Sequence, residues 1–306
     1  MSKNIINLPG DKVIYKFEPK MEPVITVSPG DTIKVDSNDC FFQQIFDESH
    51  TIEGLDFDRV NPATGPIYVE GAKPGDLLKV KIVSIDVKEK GVAATIPGGG
   101  LLGDQVKESV VRIIDVKDGF AHYQGVKLPI KPMIGVIGVA PADEDGAWPT
   151  DTPWKHGGNM DTTDIRPGST LYFPVYQEGA LLALGDCHAA MADGEICFTG
   201  LEIAADVVIE VDVIKGKTAK WPLIETEEYT AINASGDDLQ MATYEAANQA
   251  VNHIKNTLDI QWEDAYIMGS LAVDMKISQV VDPKVTVRAT IPKHIISTED
   301  LIEKSC

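Results

Sequence analysis

The chain has 306 residues, 27 of them Lys or Arg and 47 Asp or Glu, giving a formal net charge of −20. Such a surface repels polyanions, which argues against nucleic acid or an anionic membrane as the main partner. A hydrophobic fraction of 43% with 24% charged residues excludes wholesale disorder, and no apolar run approaches the ~18 residues of a membrane span. The length suits about two domains or one large β body. The start, Met1-Ser2-Lys3-Asn4-Ile5-Ile6-Asn7, has no apolar stretch of signal-peptide length. The four cysteines (Cys40, Cys187, Cys197, Cys306) contain no CxxC and make no disulfide framework. A reducing cytoplasm fits these features.

Along the chain, strands and sharp turns come first. Val24-Ile25-Thr26-Val27 leads through Ser28-Pro29-Gly30-Asp31 into Thr32-Ile33-Lys34-Val35; Pro followed by Gly is the sequence of a type II turn. The phrase recurs at Lys73-Pro74-Gly75-Asp76, before the alternating run Leu78, Val80, Ile82, and more weakly at Arg166-Pro167-Gly168-Ser169. Pro97 to Leu102 reads as a loop or boundary, with no Lys-Ser/Thr after its glycines to suggest a phosphate cradle. Ile130 to Val139 reads as a buried strand with close backbone neighbours. Ala142 to Gly158 is a loop long enough to wall an active site. Strands follow at Leu171 to Val175, Ala180 to Leu184, Glu195 to Leu201 and Val207 to Val213.

Helices come late. Tyr244, Ala247, Val251, Ile254 and Leu258 form one apolar stripe, with Asp237 and Asp238 suited to the helix N-terminus. A second helix runs roughly from Trp262 to Val273, with Ala265, Met268 and Ala272 on one face. The last strand alternates Val285, Val287, Ala289 with Thr286, Arg288, Thr290. The pattern predicts a mainly β protein: a β-rich part over 1–130, a central region over 131–220 carrying the site, and a small α+β part over 221–306.

The densest polar cluster is Gly185-Asp186-Cys187-His188-Ala189-Ala190-Met191-Ala192-Asp193-Gly194-Glu195. Asp186 and His188, two apart on an extended chain, share a face. With Asp193-Gly194 at a tight hairpin tip, Glu195 has the right parity but lies about 13 Å away at ~3.3 Å per residue. A common site therefore requires a wider loop that folds Glu195 back. Asp, His and Glu together suit a divalent-metal shell; the alternative is a polar loop with a satisfied histidine. His156-Gly157-Gly158-Asn159-Met160-Asp161 offers glycines that admit a ligand closely and an Asn suited to an amide, or else an ordinary Asn/Gly turn. Glu178 is an acid or a surface turn residue. Asp39 and Gln43 are candidates, and Cys40 is a nucleophile or a buried structural thiol. His50, His122, His253 and His294 read as structural or surface residues. GxSxG, HExxH, GxxxxGK[ST] and GxGxxG are absent.

The run Val136-Ile137-Gly138-Val139-Ala140-Pro141, then His156 to Asp161, Gln177-Glu178-Gly179-Ala180 and Gly185 to Glu195, resembles the acetamidase/formamidase family. Asn61-Pro62-Ala63-Thr64-Gly65-Pro66-Ile67, Val69-Glu70-Gly71-Ala72, Pro74-Gly75-Asp76 and Asp39 with Gln44 are similar to its N-terminal half. The resemblance spans nearly the whole chain. It implies a mainly β fold with a β-sandwich core, a β-barrel-like N-terminal part and a small α+β C-terminal part. It also implies hydrolysis of short amides, formamide or acetamide, to ammonia and carboxylate. Position 187, a Cys here, is given no role by it.

On this reading Asp186, His188 and Glu195 form the core of the site, with His156, Asn159, Asp161 and Asp39 around it. The metal ligands are then Asp186, His188, Asp39 and His156, and the acids and bases are Glu195, Glu178 and Asp161. Asn159, Gly157, Gly158 and Gln44 meet the substrate. The cofactor is a divalent metal: zinc suits the imidazole, and calcium an all-oxygen set. A homodimer is the expected assembly. The rival chemistries are a cysteine nucleophile (Cys40, Cys187 or Cys197) with Glu and Lys, and a non-enzymatic binding protein.

Overall fold

The computed structural model describes residues 5–306; Met1 to Asn4, at the head of the segment read for a leader, lie outside the described residues. The three Pro-Gly phrases all turn. Gly30, Gly75 and Gly168 have φ of 88°, 91° and 95°, and each turn is closed by a backbone bond: Asp31 to Ser28 (3.1 Å), Asp76 to Lys73 (3.0 Å) and Ser169 to Arg166 (3.0 Å). Each delivers the chain into a strand, Thr32–Ser37, Leu77–Val87 and Thr170–Pro174.

Those strands join one nine-stranded sheet in the order Ile5–Leu8, Thr32–Ser37, Ala205–Ile214, Leu77–Val87, Thr170–Pro174, Leu223–Glu225, Tyr229–Gly236, Val285–Pro292, Asp274–Gln279. A second sheet runs Gly157–Asn159, Met133–Gly138, Leu182–His188, Ala63–Val69, Val13–Ile14, with Ile25–Val27 parallel to Ala63–Val69. The two sheets enclose the main core: Ile33, Val80, Ile82 and Ile209 from the larger face Ile67, Ile134, Ile137 and Leu184 from the smaller. A four-stranded antiparallel meander, Lys90–Thr95 to Val126–Pro129, makes a third layer. The protein is thus mainly β, with the sandwich at its centre.

None of these sheets closes into a barrel. The N-terminal strands are shared instead between the two sandwich sheets, because their partners come from later in the chain. Glu195 to Leu201, expected as a strand, is a loop: Glu195 (φ 46°) and Phe198 (φ 88°) break the extension.

The helix Leu239–Leu258 starts as expected, with the Asp238 carboxylate accepting from Met241 N–H at 2.8 Å. Its buried face is Ala242, Ala246, Ala250, Val251 and Ile254; Val251 and Ile254 belong to the expected stripe, but Tyr244, which is 71% exposed, and Leu258 do not join that face. Small residues spaced by four let the helix lie close on Tyr229–Gly236 and Val285–Pro292.

Candidate functional site

The strand Leu182–His188 is buried along its whole length, paired on both sides by Met133–Gly138 and Ala63–Val69. Its pleat sends Cys187 into the sandwich core, where Sγ meets Ser37 Oγ at 3.7 Å. Asp186 and His188 project on the opposite face, into a cavity of about 700 Å³. Asp161 reaches them from just past the edge strand Gly157–Asn159, and the loop after His188 brings in Glu195. Asp161 (φ 38°), Asp186 (φ 54°) and Glu195 (φ 46°) all adopt left-handed backbone, a conformation costing of order 1–3 kcal/mol each and concentrated at functional sites.

Around the His188 ring, Nε2 lies 3.0 Å from Glu202 Oε2, 3.5 Å from Asp186 Oδ1 and 3.9 Å from Asp161 Oδ1. Nδ1 lies 4.0 Å from Glu195 Oε1 and 3.3 Å from Met191 Sδ. The wide loop from Ala189 onward supplies the fold-back that a tight hairpin lacked. Its Gly194 N–H donates to Ser278 O at 2.8 Å, so the far edge of the larger sheet holds it. His188 and the four carboxylates around it are buried. Gly135 makes room for them: a Cβ there would come within 2.4 Å of Asp161 Oδ1 and 2.6 Å of Asp186 Oδ2.

Two members, Glu202 and Asp282, were not among the sequence candidates. Glu202 exchanges two backbone hydrogen bonds of 2.8 Å with Val92 of the meander. Its signal in sequence was a lone carboxylate inside the apolar run Leu201-Glu202-Ile203. Asp282 sits in a turn whose Val281 and Asp282 N–H groups donate to the buried Gln279 Oε1 at 2.9 and 3.0 Å. Its Oδ2 accepts from Asn159 Nδ2 at 3.1 Å, and no local pattern announces it.

Other candidates fall elsewhere. Glu178 is exposed and does not line the cavity. Gln44 ties two loops together, bonding Asp56 O at 3.2 Å and accepting from Asp56 N–H at 2.9 Å. Asp39 Oδ1 accepts from the N–H groups of Phe41 and Gln43 at 3.0 Å each, which caps a turn behind the cavity. His156 packs between Phe17 and Trp148, with ring centroids 5.0 and 6.2 Å away. Neither of its ring nitrogens has a hydrogen-bond partner, and burial lowers its pKa to about 3. Gly157 N–H is already committed to Trp154 O at 3.0 Å, and neither Gly157 nor Gly158 lines the cavity.

The electrostatics follow from crowding. Burial, then the Asp186 charge, pushes Asp161 up to about 7; burial pushes Glu202 up to about 8. Glu195 rises well above the usual carboxylate range through burial and Asp161, and Asp282 does so for the same causes. Burial alone would lower the His188 pKa, but the charges of Glu202 and Asp186 carry it well above the usual histidine value. Several buried carboxylates facing one imidazole cannot all ionise without a compensating cation.

The donor atoms fit such a cation. Asp161 Oδ1, Asp186 Oδ1 and Glu202 Oε2 are buried with no hydrogen-bond partner, and all three face His188 Nε2. Two of the separations, 3.0 and 3.5 Å, match the roughly 3.0–3.5 Å expected between ligands on an ion with 2.0–2.2 Å bonds; Asp161, Asp186 and His188 place their ligand atoms within 4.8 Å of one another, as do His188, Glu195 and Glu202. Cys40 lines the same cavity. Burial and the charges of Glu202 and Asp186 raise its thiol well above the ordinary value, against the thiolate a nucleophile needs. No Lys lines the cavity, so a Cys-Glu-Lys constellation is not assembled among the described residues.

Comparison with known proteins places this architecture. The formamidase of Methylophilus methylotrophus is 26% identical over an alignment covering 96% of this chain and 93% of that protein. Among solved structures, a predicted acetamidase/formamidase from the thermophile Thermoanaerobacter tengcongensis superposes with a TM-score of 0.94 at 45% identity, covering 97% of this chain and 98% of that one. An acetamidase from Bacillus halodurans gives 0.92 at 39% identity, covering 94% and 98%. The profile of the Acetamidase/Formamidase family matches residues 7–145 and 144–298, and the chain belongs to that family.

Proposed function

We propose that this amidohydrolase cleaves the C–N bond of linear amides, giving ammonia and a carboxylate, at the cluster around His188, and that it works with a divalent ion. The observation carrying the proposal is the convergence of three orphaned carboxylate oxygens on His188 Nε2. Asp161, Asp186, His188 and Glu202 would hold the ion, and the mixed nitrogen and oxygen donors suit zinc, with calcium the all-oxygen alternative. A bound ion supplies a Lewis acid that offsets charge developing on the amide oxygen and acidifies water.

The remaining work falls to the chain. Glu195, on the Nδ1 side of the imidazole, takes the proton of the attacking water and returns it to the departing nitrogen. The buried, unpartnered Asn159 Oδ1 accepts from the substrate amide N–H and so orients it, while its Nδ2 is held by Asp282. Asp161, at about 7, depends on a nearby cation to stay ionised at neutral pH.

The experiment is elemental analysis of the purified protein with an ammonia assay before and after chelation. The expected result is about one ion per chain, loss of ammonia release on its removal, return on adding it back, and tolerance of Cys40→Ser. Full turnover in an ion-free protein would overturn the metal part.

The same reading takes the protein as a cytoplasmic homodimer. No helix is long and apolar enough to cross a membrane. The helix Trp262–Ala272 presents Tyr266, Ile267 and Leu271 outward, the last 81% exposed, an apolar face suited to a second copy. Sedimentation of the purified chain at twice the monomer mass of 33.1 kDa is the expected result.

A further inference from the structure

The cavity above the cluster is far larger than the smallest amides need. At about 30 Å³ for each water-sized group, acetamide would occupy on the order of 120 Å³, against about 700 Å³ available. The remaining space has a consistent chemistry. Its apolar lining includes the buried Phe41 and Ile52 and the part-buried Leu55, with Phe57 and Phe198 more exposed to solvent. Phe41 and Ile52 are fixed from behind by Val92 and Val111 of the meander, in one apolar cluster. Phe198 is held at φ 88°, an outlier for a bulky residue, on the loop that also carries Glu195.

Much of the remaining lining is acidic. Asp58, Asp151, Asp161, Asp186, Glu195, Glu202 and Asp282 belong to it, and among the described residues no Lys or Arg does. Even with a divalent ion bound, a substrate carboxylate would find no partner there and several like charges. Asn159 Oδ1, 4% exposed by residue and without a partner, is a hydrogen-bond acceptor waiting for an N–H.

Resting on the amide-hydrolase reading above, we infer that the preferred substrate is a neutral primary amide with an apolar acyl group of about four to seven carbons. The –NH2 group is placed by Asn159 Oδ1, the carbonyl lies over the His188 cluster, and the acyl chain lies along Phe41, Ile52, Leu55, Phe57 and Phe198. Hydrolysis breaks the C–N bond and forms a C–O bond from water. The two water protons are partitioned between the product carboxylic acid, which ionises, and the ammonia.

The test is ammonia release by the metal-loaded enzyme across formamide, acetamide, butyramide and hexanamide, with succinamate set against pentanamide as its uncharged counterpart, and with ring-opening of γ-butyrolactam to 4-aminobutanoate, read by amino-acid chromatography, set against butyramide. The expected kcat/KM rises roughly threefold per methylene through hexanamide, and succinamate is at least about tenfold poorer than pentanamide. Phe57→Ala, at a position already 62% exposed and so not needed for folding, should cost hexanamide more than it costs acetamide. A flat or falling series, or equal losses in Phe57→Ala, overturns this inference and leaves amide hydrolysis standing. Faster turnover of the lactam than of butyramide overturns the primary-amide part. Absence of ammonia from every amide overturns the reading on which it rests.

Discussion

At position 135 an alanine Cβ would come within 2.4 Å of Asp161 Oδ1 and 2.6 Å of Asp186 Oδ2. Neither carboxylate can step aside without leaving the cluster, since both are buried and set by left-handed backbone. Gly135→Ala should therefore lower amide turnover by at least about a hundredfold, the usual cost of a misplacement near 1 Å. Circular dichroism should show the fold retained, and elemental analysis should show ion content falling with activity. Glu195→Gln should lower kcat by about 10²–10⁴ with the ion retained, read by steady-state ammonia release; full turnover with full ion content would remove its role as base. At this scale the sequence was informative where the geometry is local. The spacing of Asp186 and His188 places them on one face of any strand. Glu202 shows only as a lone carboxylate in an apolar run and is placed by pairing with Val92, while Asp282 is placed by a turn on Gln279 and a distant bond to Asn159. His156 is expected as a ligand only through the family resemblance. It is instead a ring packed among aromatics.

Among elements, the strand Val285–Pro292 illustrates why a polar alternation can mislead. Thr286, Arg288 and Thr290 are the polar members of its alternation, yet all three are buried. Arg288, 2% exposed, donates from Nε to Asp164 at 2.7 Å and from Nη2 to both oxygens of Asp193 at 2.8 and 2.9 Å. Asp164 follows Asp161 by three residues and Asp193 precedes Glu195 by two, so one guanidinium ties down both loops that bring acids to the site. Arg288→Met should destabilise the fold by about 3 kcal/mol, because it leaves Asp164 buried beside no cation. Adding Asp164→Asn should restore part of that loss, and urea unfolding measures both. The helix Leu239–Leu258 teaches the same lesson from the apolar side. Its cap was legible because Asp238 acts on the backbone three residues away, whereas its buried face was chosen by how closely alanines let it approach the sheet, not by which residues are most hydrophobic.

For the molecule as a whole, pH acts through groups away from the site as well as within it. Burial lowers His156 to about 3 and His253 to about 4, below the ordinary value near 6.5. Between those values the unfolded chain binds protons that the folded chain refuses. The stability owed to neutral imidazole is therefore complete above about pH 6.5 and is lost as pH falls toward 4 and 3, at up to about 1.4 kcal/mol per pH unit for each histidine. The cluster carboxyls act in the opposite sense: with Asp161 near 7 and Glu202 near 8, their contribution is lost as pH rises through those values. The histidine effect is accordingly read as a difference. His156→Phe, beside Phe17 and Trp148, should unfold less readily than the parent at pH 5 and lose most of that advantage at pH 7.5, in paired denaturant titrations. The three Pro-Gly turns and the mainly β character were legible because they are written in adjacent residues. The order of the strands was not, since it depends on which distant segments meet.

That order has a practical consequence. The strand Leu77–Val87 is flanked by Ala205–Ile214 on one side and Thr170–Pro174 on the other, both outside the first 130 residues. A fragment cut near that point would carry two bare hydrogen-bonding edges along its longest strand and be prone to sticking to its neighbours. A nick in an exposed loop should thus leave the pieces clasped together, whereas separating them should precipitate both.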